Sequence, residues 1–315
     1  MIIKVLDHDS LGFDLDLSPL HAFGETEVYG ATEKDELHKR VADAEVIIIN
    51  KIKVDRACML AAPNLKLICI FATGYDNIDT VAARELGIGV CNVPGYSTDS
   101  VTLLTVSTAL ALVSHLNEYN RYVTSGEYTE KGIPNRLEPV FHEVSGKTWG
   151  IIGAGNIGSA VARVAEALGA RVVACKRSPS DKFECVDIDT LCRRSDIITI
   201  HCPLNDGTRG LISNEKISLM KNGVIIVNEA RGAVVVDDAI VEGIESGKIG
   251  GFGSDVYNEE PFSKEHPFNK IMHRDNVILT PHCAWGAKEA RDRCLKIICD
   301  NISSFLKGER LNRVE

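Results

Sequence analysis

Ile151-Ile152-Gly153-Ala154-Gly155-Asn156-Ile157-Gly158 is the stretch whose reading decides the fold. Lys147 to Ile152 reads as a short apolar strand, and Asn156 to Leu168 carries apolar residues at helical spacing up to Gly169, a natural stop. A strand, then Gly-x-Gly-x-x-Gly, then a helix is the pattern of a dinucleotide-binding turn. Gly153 permits the tight turn, Gly155 lets the backbone approach a pyrophosphate, and Gly158 lets the helix pack closely on the strand. Asn156, Ile157 and Gly158 open that helix, whose first N–H groups have no partner within it and suit an anion.

Working outward, the segments downstream continue the alternation. Strands are expected at Arg171 to Cys175, Asp196 to Cys202, Gly223 to Val227, Ile249 to Phe252 and Asn276 to Thr280, with helices at Ile188 to Arg194, Asn214 to Met220 and from Asp237. Upstream, Ile2 to Leu6, Val46 to Ile49, Lys66 to Phe71 and Ile88 to Cys91 are short β-branched runs. Between them lie helical stretches at Lys34 to Ala42, Asp55 to Ala61 and Asp79 to Leu86. Repeated βα units imply parallel sheets covered by helices, so the class is α/β with two sheets. The upstream region lacks a Gly-x-Gly-x-x-Gly turn and reads as a separate, smaller domain. Pro94 to Asp99 is a break, with Thr98 or Asp99 as a helix cap. Val101 to Leu116 follows, apolar on nearly all faces and therefore expected to be buried. Asn117 to Glu143 is polar and poorly periodic, and is read as an extended arm or irregular connection. Ala287 to Phe305 is a last amphipathic helix that leads back to the first domain.

Composition narrows the function. A chain of 315 residues is long for one core, and a net charge of -9 argues against nucleic acid and anionic membrane partners. The ten cysteines are scattered without any Cys-x-x-Cys pair, as suits reduced core thiols in a cytosolic protein, and no zinc-ligand spacing occurs.

Strand ends carry, in succession, Gly153, Pro203, Arg231, Asp255 and His282. In a doubly wound sheet these ends line one crevice with the dinucleotide in it. Reduction of a carbonyl by a nicotinamide needs a proton donor at the developing alkoxide, and histidine suits that role near neutral pH. A carboxylate such as Glu260 stabilises the imidazolium, and Arg231 can hold a substrate carboxylate bidentately. Taken singly, an Arg before Gly, an acidic pair and a His after Thr-Pro are ordinary loop residues. Their placement at ends of one nucleotide-binding sheet makes them a set. In the upstream domain, Asn50-Lys51-Ile52-Lys53 and Ala72-Thr73-Gly74-Tyr75-Asp76-Asn77 also follow strands, and Thr73-Gly74 can present N–H groups to a carboxylate.

These segments, together with Val93 to Val101, Ala230-Arg231-Gly232, Asp255 to Pro261 and Thr280-Pro281-His282, make the chain resemble the D-isomer-specific 2-hydroxyacid dehydrogenases over nearly its whole length. Asn50-Lys51, Ala72 to Tyr75 and His282-Cys283-Ala284-Trp285 are most similar to the glycerate dehydrogenase, or hydroxypyruvate/glyoxylate reductase, branch. The resemblance implies a Rossmann domain over 99–286 inserted in a flavodoxin-like substrate domain made of 1–98 and 287–315, a hinged cleft, and a homodimer. It implies Arg231 on the substrate carboxylate, His282 as acid/base paired with Glu260, and Asp255 on the nicotinamide carboxamide. Lys51, Thr73, Gly74 and Trp285 are then expected around the substrate. A 3-phosphoglycerate dehydrogenase is the rival in the same class, with Lys51 and Lys53 for the phosphate. A redox-sensing scaffold is the rival from another class, and the complete Arg, Glu and His set argues against it.

Three departures matter. Lys176-Arg177-Ser178 stands where relatives that use NAD carry an acidic residue, which predicts NADP(H) over NAD(H). Leu103-Leu104 replaces a usually polar pair. Glu229 replaces a small hydroxyl residue before Ala-Arg-Gly and is expected to bear on substrate preference.

Overall fold

The computed structural model describes residues 1–177 and 182–315. The chain divides into two compact units, one of Met1–Ser97 with Gly286–Glu315 and one of Thr98–Trp285.

The first unit holds five strands: β1 Ile2–Val5, β2 Glu25–Val28, β3 Val46–Ile49, β4 Leu67–Ile70 and β5 Gly89–Cys91. They form one parallel sheet in the order β2-β1-β3-β4-β5, the flavodoxin-like order. β3 and β4 are buried at every position, which is why they read as continuous apolar runs. β2 escapes the sequence pattern because Glu-Thr-Glu-Val is a polar edge strand with no buried residue. The last helix, Lys288–Leu306, returns to this unit, where Asn301 donates to the Asn92 carbonyl at 3.0 Å and Arg291 bridges Asp14.

The second unit holds β6 Thr148–Ile152, β7 Arg171–Cys175, β8 Glu184–Cys185, β9 Ile197–Ile200, β10 Val224–Asn228, β11 Ile249–Ser254 and β12 Val277–Leu279. Their order is β12-β11-β10-β9-β6-β7-β8, all parallel, so the order reverses between β6 and β9 as in a Rossmann sheet. Apolar clusters cover both faces, one around Ile226 and Phe252, the other around Trp149 and Val161. β8, only two residues long, gave no periodic signal.

Three expectations are corrected here. The apolar stretch is not one buried helix through Leu116. A helix spans Thr98–Val113, His115 turns the chain at φ 51°, and a second helix, Leu116–Thr124, leaves at 66°. Only one side of the first helix is buried, because Thr108 and Leu112 lie so close to β11 that a Cβ on Gly253 or Gly251 would meet them at 2.3 and 3.2 Å. Leu103, on the opposite side, is exposed. Thr98 is already helical, so the cap falls at neither Thr98 nor Asp99. The segment read as an extended arm contains helices Leu116–Thr124 and Glu127–Lys131, followed by irregular chain up to β6. No single helix among the described residues is long and apolar enough to cross a membrane.

Candidate active site

The turn after β6 has the geometry its glycines suggest. Gly153 lies at φ 92°, where a side chain would be strained, and a Cβ there would meet the Cys202 backbone nitrogen at 2.5 Å. A Cβ on Gly158 would meet the Gly153 carbonyl oxygen at 2.2 Å. Gly155 opens onto free space, with nothing within 4 Å of an added Cβ. It caps the helix Asn156–Ala167 without any side-chain hydrogen bond, which leaves the first turn's N–H groups to an outside acceptor. An open cavity of about 490 Å³ lies beside this turn, lined by Gly155, Asn156, Ser159, Arg163, Lys176 and Lys182 among others. Arg177 is exposed at the end of β7, and Pro203 is exposed after β9. Ser178 lies outside the described residues.

Toward the other end of the sheet, three strand ends bring Arg231, Glu260 and His282 into one unit. Arg231 follows β10 in an extended conformation, its guanidinium donating to the Ala230 carbonyl at 2.9 Å. Asn228 fixes this turn by donating to the Arg231 carbonyl at 3.0 Å and accepting from the Ala230 N–H at 3.1 Å. Gly232 is needed next, because a Cβ there would overlap the Tyr257 carbonyl carbon at 2.0 Å. That close approach sets the Arg231 turn against the loop that carries Glu260.

Glu260 is held at both oxygens. Oε1 accepts from the Tyr257 N–H at 3.0 Å, and Oε2 lies 2.6 Å from His282 Nδ1. His282 adopts φ 53°, an uncommon conformation for a residue with a side chain, and the Trp285 indole N–H donates to its carbonyl at 2.9 Å. The two side chains keep 25% and 30% of their surface, so the pair is reachable from solvent. Asp255, after β11, is buried and accepts from Thr280 Oγ1 at 2.6 Å and from the Cys283 and Ala284 N–H groups at 2.8 Å each. It thereby pins the chain on either side of His282.

In the other unit, the two expected loops are built at strand ends. The buried Asp7 carboxylate, just after β1, accepts from the N–H groups of Asn50 at 3.0 Å, Lys51 at 2.6 Å and Ile52 at 3.3 Å. Burial pushes the Asp7 carboxyl up, and those N–H groups pull it back down. Thr73 donates to the Val93 carbonyl at 2.8 Å, while its own carbonyl accepts from Asn92 at 2.8 Å. Lys51 and Thr73 are exposed and Gly74 is half-buried.

The family described as D-isomer specific 2-hydroxyacid dehydrogenase, NAD binding domain, matches residues 106–284, more than half of the chain. The chain belongs to this family. A hydroxypyruvate reductase of Blautia hydrogenotrophica is 36% identical over 323 aligned positions, covering 100% of this chain and 99% of its own. The D-lactate dehydrogenase of Aquifex aeolicus, solved with NAD and lactic acid, superposes with a TM-score of 0.87 at 28% identity, covering 98% of this chain and 96% of its own. An acyclic imino acid reductase solved with NADPH and D-Arg superposes with a TM-score of 0.87 at 27% identity, covering 100% of both chains. The relatives place the chain on the glycerate dehydrogenase and hydroxypyruvate reductase branch, among NAD-binding oxidoreductases.

As a 2-hydroxyacid dehydrogenase, the protein also holds polar groups whose burial the sequence does not show, Glu229 among them, and others that sequence reading missed. Glu229 is buried, with neither carboxyl oxygen hydrogen-bonded. Burial and the neighbouring Asp255 push its carboxyl up to about 9. His201, at the end of β9, has both ring nitrogens shut from solvent although the residue keeps some exposed surface. Burial holds its imidazole down to about 3, which favours the neutral form. Arg163 and Lys182 join Lys176 at the glycine turn. A cation about two turns into a helix and another beyond Pro179 in the sequence carry no local signal, whereas Asp7 could have been suspected from its place at a strand end.

Proposed function

We propose that this 2-hydroxyacid dehydrogenase reduces a small 2-oxoacid, hydroxypyruvate or glyoxylate, with NADP(H) preferred over NAD(H). The observation that carries the reading is the 2.6 Å contact between His282 and Glu260 in the same unit as Arg231. The cradle at Gly153, Gly155 and Gly158 fits a dinucleotide pyrophosphate, and the free N–H groups of Asn156, Ile157 and Gly158 suit its charge. The nicotinamide, when bound, supplies the hydride to the keto carbon.

The protein's own residues do the rest. Arg231 holds the substrate carboxylate through its planar fork and so fixes which face of the keto carbon is presented. His282, charged and steadied by Glu260, gives its proton to the developing alkoxide. Asp255 serves the nicotinamide carboxamide and, through its bonds to Cys283 and Ala284, orients the turn holding His282. Trp285 is assigned to the substrate in this unit, and Lys51, Thr73 and Gly74 are the substrate-binding residues assigned within the other, where the Asp7 carboxylate fixes the Lys51 backbone. Lys176 and Arg177, with Arg163 and Lys182 beside them, attract a 2′-phosphate. The functional domains follow the two units. Exposed Leu103, Leu116, Leu137, Val140 and Phe141 suit a second copy of the chain, giving a homodimer that works in the cytoplasm, where its thiols stay reduced.

Steady-state rates over a panel of 2-oxoacids, each with NADPH and NADH, test the reading. Hydroxypyruvate or glyoxylate should give the highest kcat/KM. Turnover confined to larger or phosphorylated oxoacids would replace the substrate assignment.

A further inference from the structure

Glu229 has no part in the chemistry above, yet it is a buried carboxyl with no hydrogen-bond partner at either oxygen. Asn228 and Ser254 are register partners at the ends of β10 and β11, so Glu229 and Asp255 are the next residues on neighbouring parallel strands. Their circumstances are opposite. Asp255 accepts three hydrogen bonds, from Thr280, Cys283 and Ala284. Glu229 accepts none at either oxygen, and both of its oxygens are shut from water. Two adjacent buried carboxyl groups cannot both be charged at low cost, and donors settle which one is. Asp255 keeps the negative charge and Glu229 keeps the proton.

Among the described residues, burial and Asp255 are what act on the Glu229 carboxyl, and both favour its protonated form. Tyr257 and Cys283 both feel Asp255 and Glu229 and are pushed up by burial first, so both stay neutral. Arg231, two residues along the chain, turns its guanidinium to the Ala230 carbonyl. The pair therefore carries one negative charge and one proton whose retention depends on any further charge brought nearby.

We propose that Glu229 reads the redox state of the cofactor, keeping its proton beside Asp255 when a neutral, reduced ring is bound and releasing it to solvent when a cationic, oxidised ring is bound. The inference rests on the reading that Asp255 meets the nicotinamide. It needs no direct contact with Glu229, because a positive ring within several ångströms acts through poorly screened surroundings. No bond forms or breaks, and the balance is one proton passing from the Glu229 carboxyl to water. At neutral pH the oxidised cofactor must expel that proton to bind at full strength. The reduced cofactor is thus favoured, which biases the enzyme toward reduction. The folded carboxyl ionises near 9 in the absence of cofactor, so the effect falls in an accessible pH range.

The test mixes the full-length protein, in weak buffer at pH 8 with an indicator dye, with saturating NADP⁺ or NADPH, with binding followed by calorimetry. NADP⁺ should release roughly half a proton per site if the cation draws the group from its resting value toward neutrality, and NADPH should release none of it. The affinity for NADP⁺ should rise by up to about tenfold per pH unit through this range, and that for NADPH should not. Glu229→Gln should bind both forms and lose this release, leaving only whatever His282 contributes, whereas Cys283→Ser should keep it. Should Glu229→Gln fail to fold, Glu229→Thr is used, and the wild-type contrast between the two cofactors stands alone. NADP⁺ binding without proton release, or release undiminished in Glu229→Gln, overturns the proposal. Failure of either dinucleotide to bind overturns the cofactor reading itself, and this inference with it.

Discussion

His282 Nδ1 lies 2.6 Å from Glu260 Oε2, and the other Glu260 oxygen is fixed by the Tyr257 N–H at 3.0 Å. A histidine so held presents its remaining ring nitrogen to a substrate in one orientation. His282→Ala should lower turnover by on the order of 10²–10⁴ while cofactor still binds, the usual size of a general-acid contribution. Near-normal turnover in that variant removes His282 from the mechanism. Glu260→Gln keeps the shape and deletes the charge that favours imidazolium, so its reductase rate should begin to fall at lower pH than in the wild type. An unchanged pH–rate profile would mean that the pairing does not set the acid.

Arg231→Lys retains a positive charge and loses the fork. Substrate KM should rise and kcat should fall together, because orientation is lost along with attraction. If Arg231 only closed the turn after β10, the same variant would melt at lower temperature and keep normal kinetics per folded molecule.

The cations around the glycine turn predict cofactor choice. One surviving charge-assisted bond to a 2′-phosphate, at roughly 1.5–3 kcal/mol, corresponds to about a tenfold or greater preference for NADPH in kcat/KM. Lys176→Asp should erode or reverse it. A wild-type enzyme more efficient with NADH would mean that Lys176, Arg177, Arg163 and Lys182 point their charge elsewhere.

Glu229 also predicts a pH dependence of stability. Unfolded, its carboxyl ionises near 4.5, whereas in the folded protein it does so near 9. Between those values the native state holds a proton that the unfolded chain has lost, so Glu229's contribution is full below about 4.5 and declines as pH rises to about 9. Glu229→Gln lacks this slope. At pH 8 it should gain ~2 kcal/mol over wild type relative to the same comparison at pH 5, after discounting for solvent relaxation around the group. Parallel melting-temperature curves for the two proteins would show that the buried carboxyl is not protonated.

Much of this is legible in the sequence. The glycine turn is a local pattern whose steric demands are met within a few residues, and Gly153 and Gly158 meet them. Arg231, Asp255 and His282 could be placed because parallel βα units put strand ends on one edge of a sheet. Glu229 could not be understood that way. The sequence marks Glu229 as a departure expected to bear on substrate preference, but its burial follows from tertiary packing that no local pattern encodes. The break at His115 was hidden for a related reason: the chain turns there at φ 51°, a left-handed conformation that the apolar pattern does not mark. The cations at positions 163 and 182 converge on Lys176 from separate elements, and sequence distance conceals that.

The central claim is hydride transfer to the C2 carbon of a small 2-oxoacid, with the proton supplied by the protein. The most direct test is the reaction of hydroxypyruvate with NADPH carrying deuterium at the transferable C4 position, followed by analysis of the product. The account predicts D-glycerate with deuterium on C2 and unlabelled oxygen-bound hydrogen drawn from solvent. Product without deuterium, or of the opposite configuration, would contradict it.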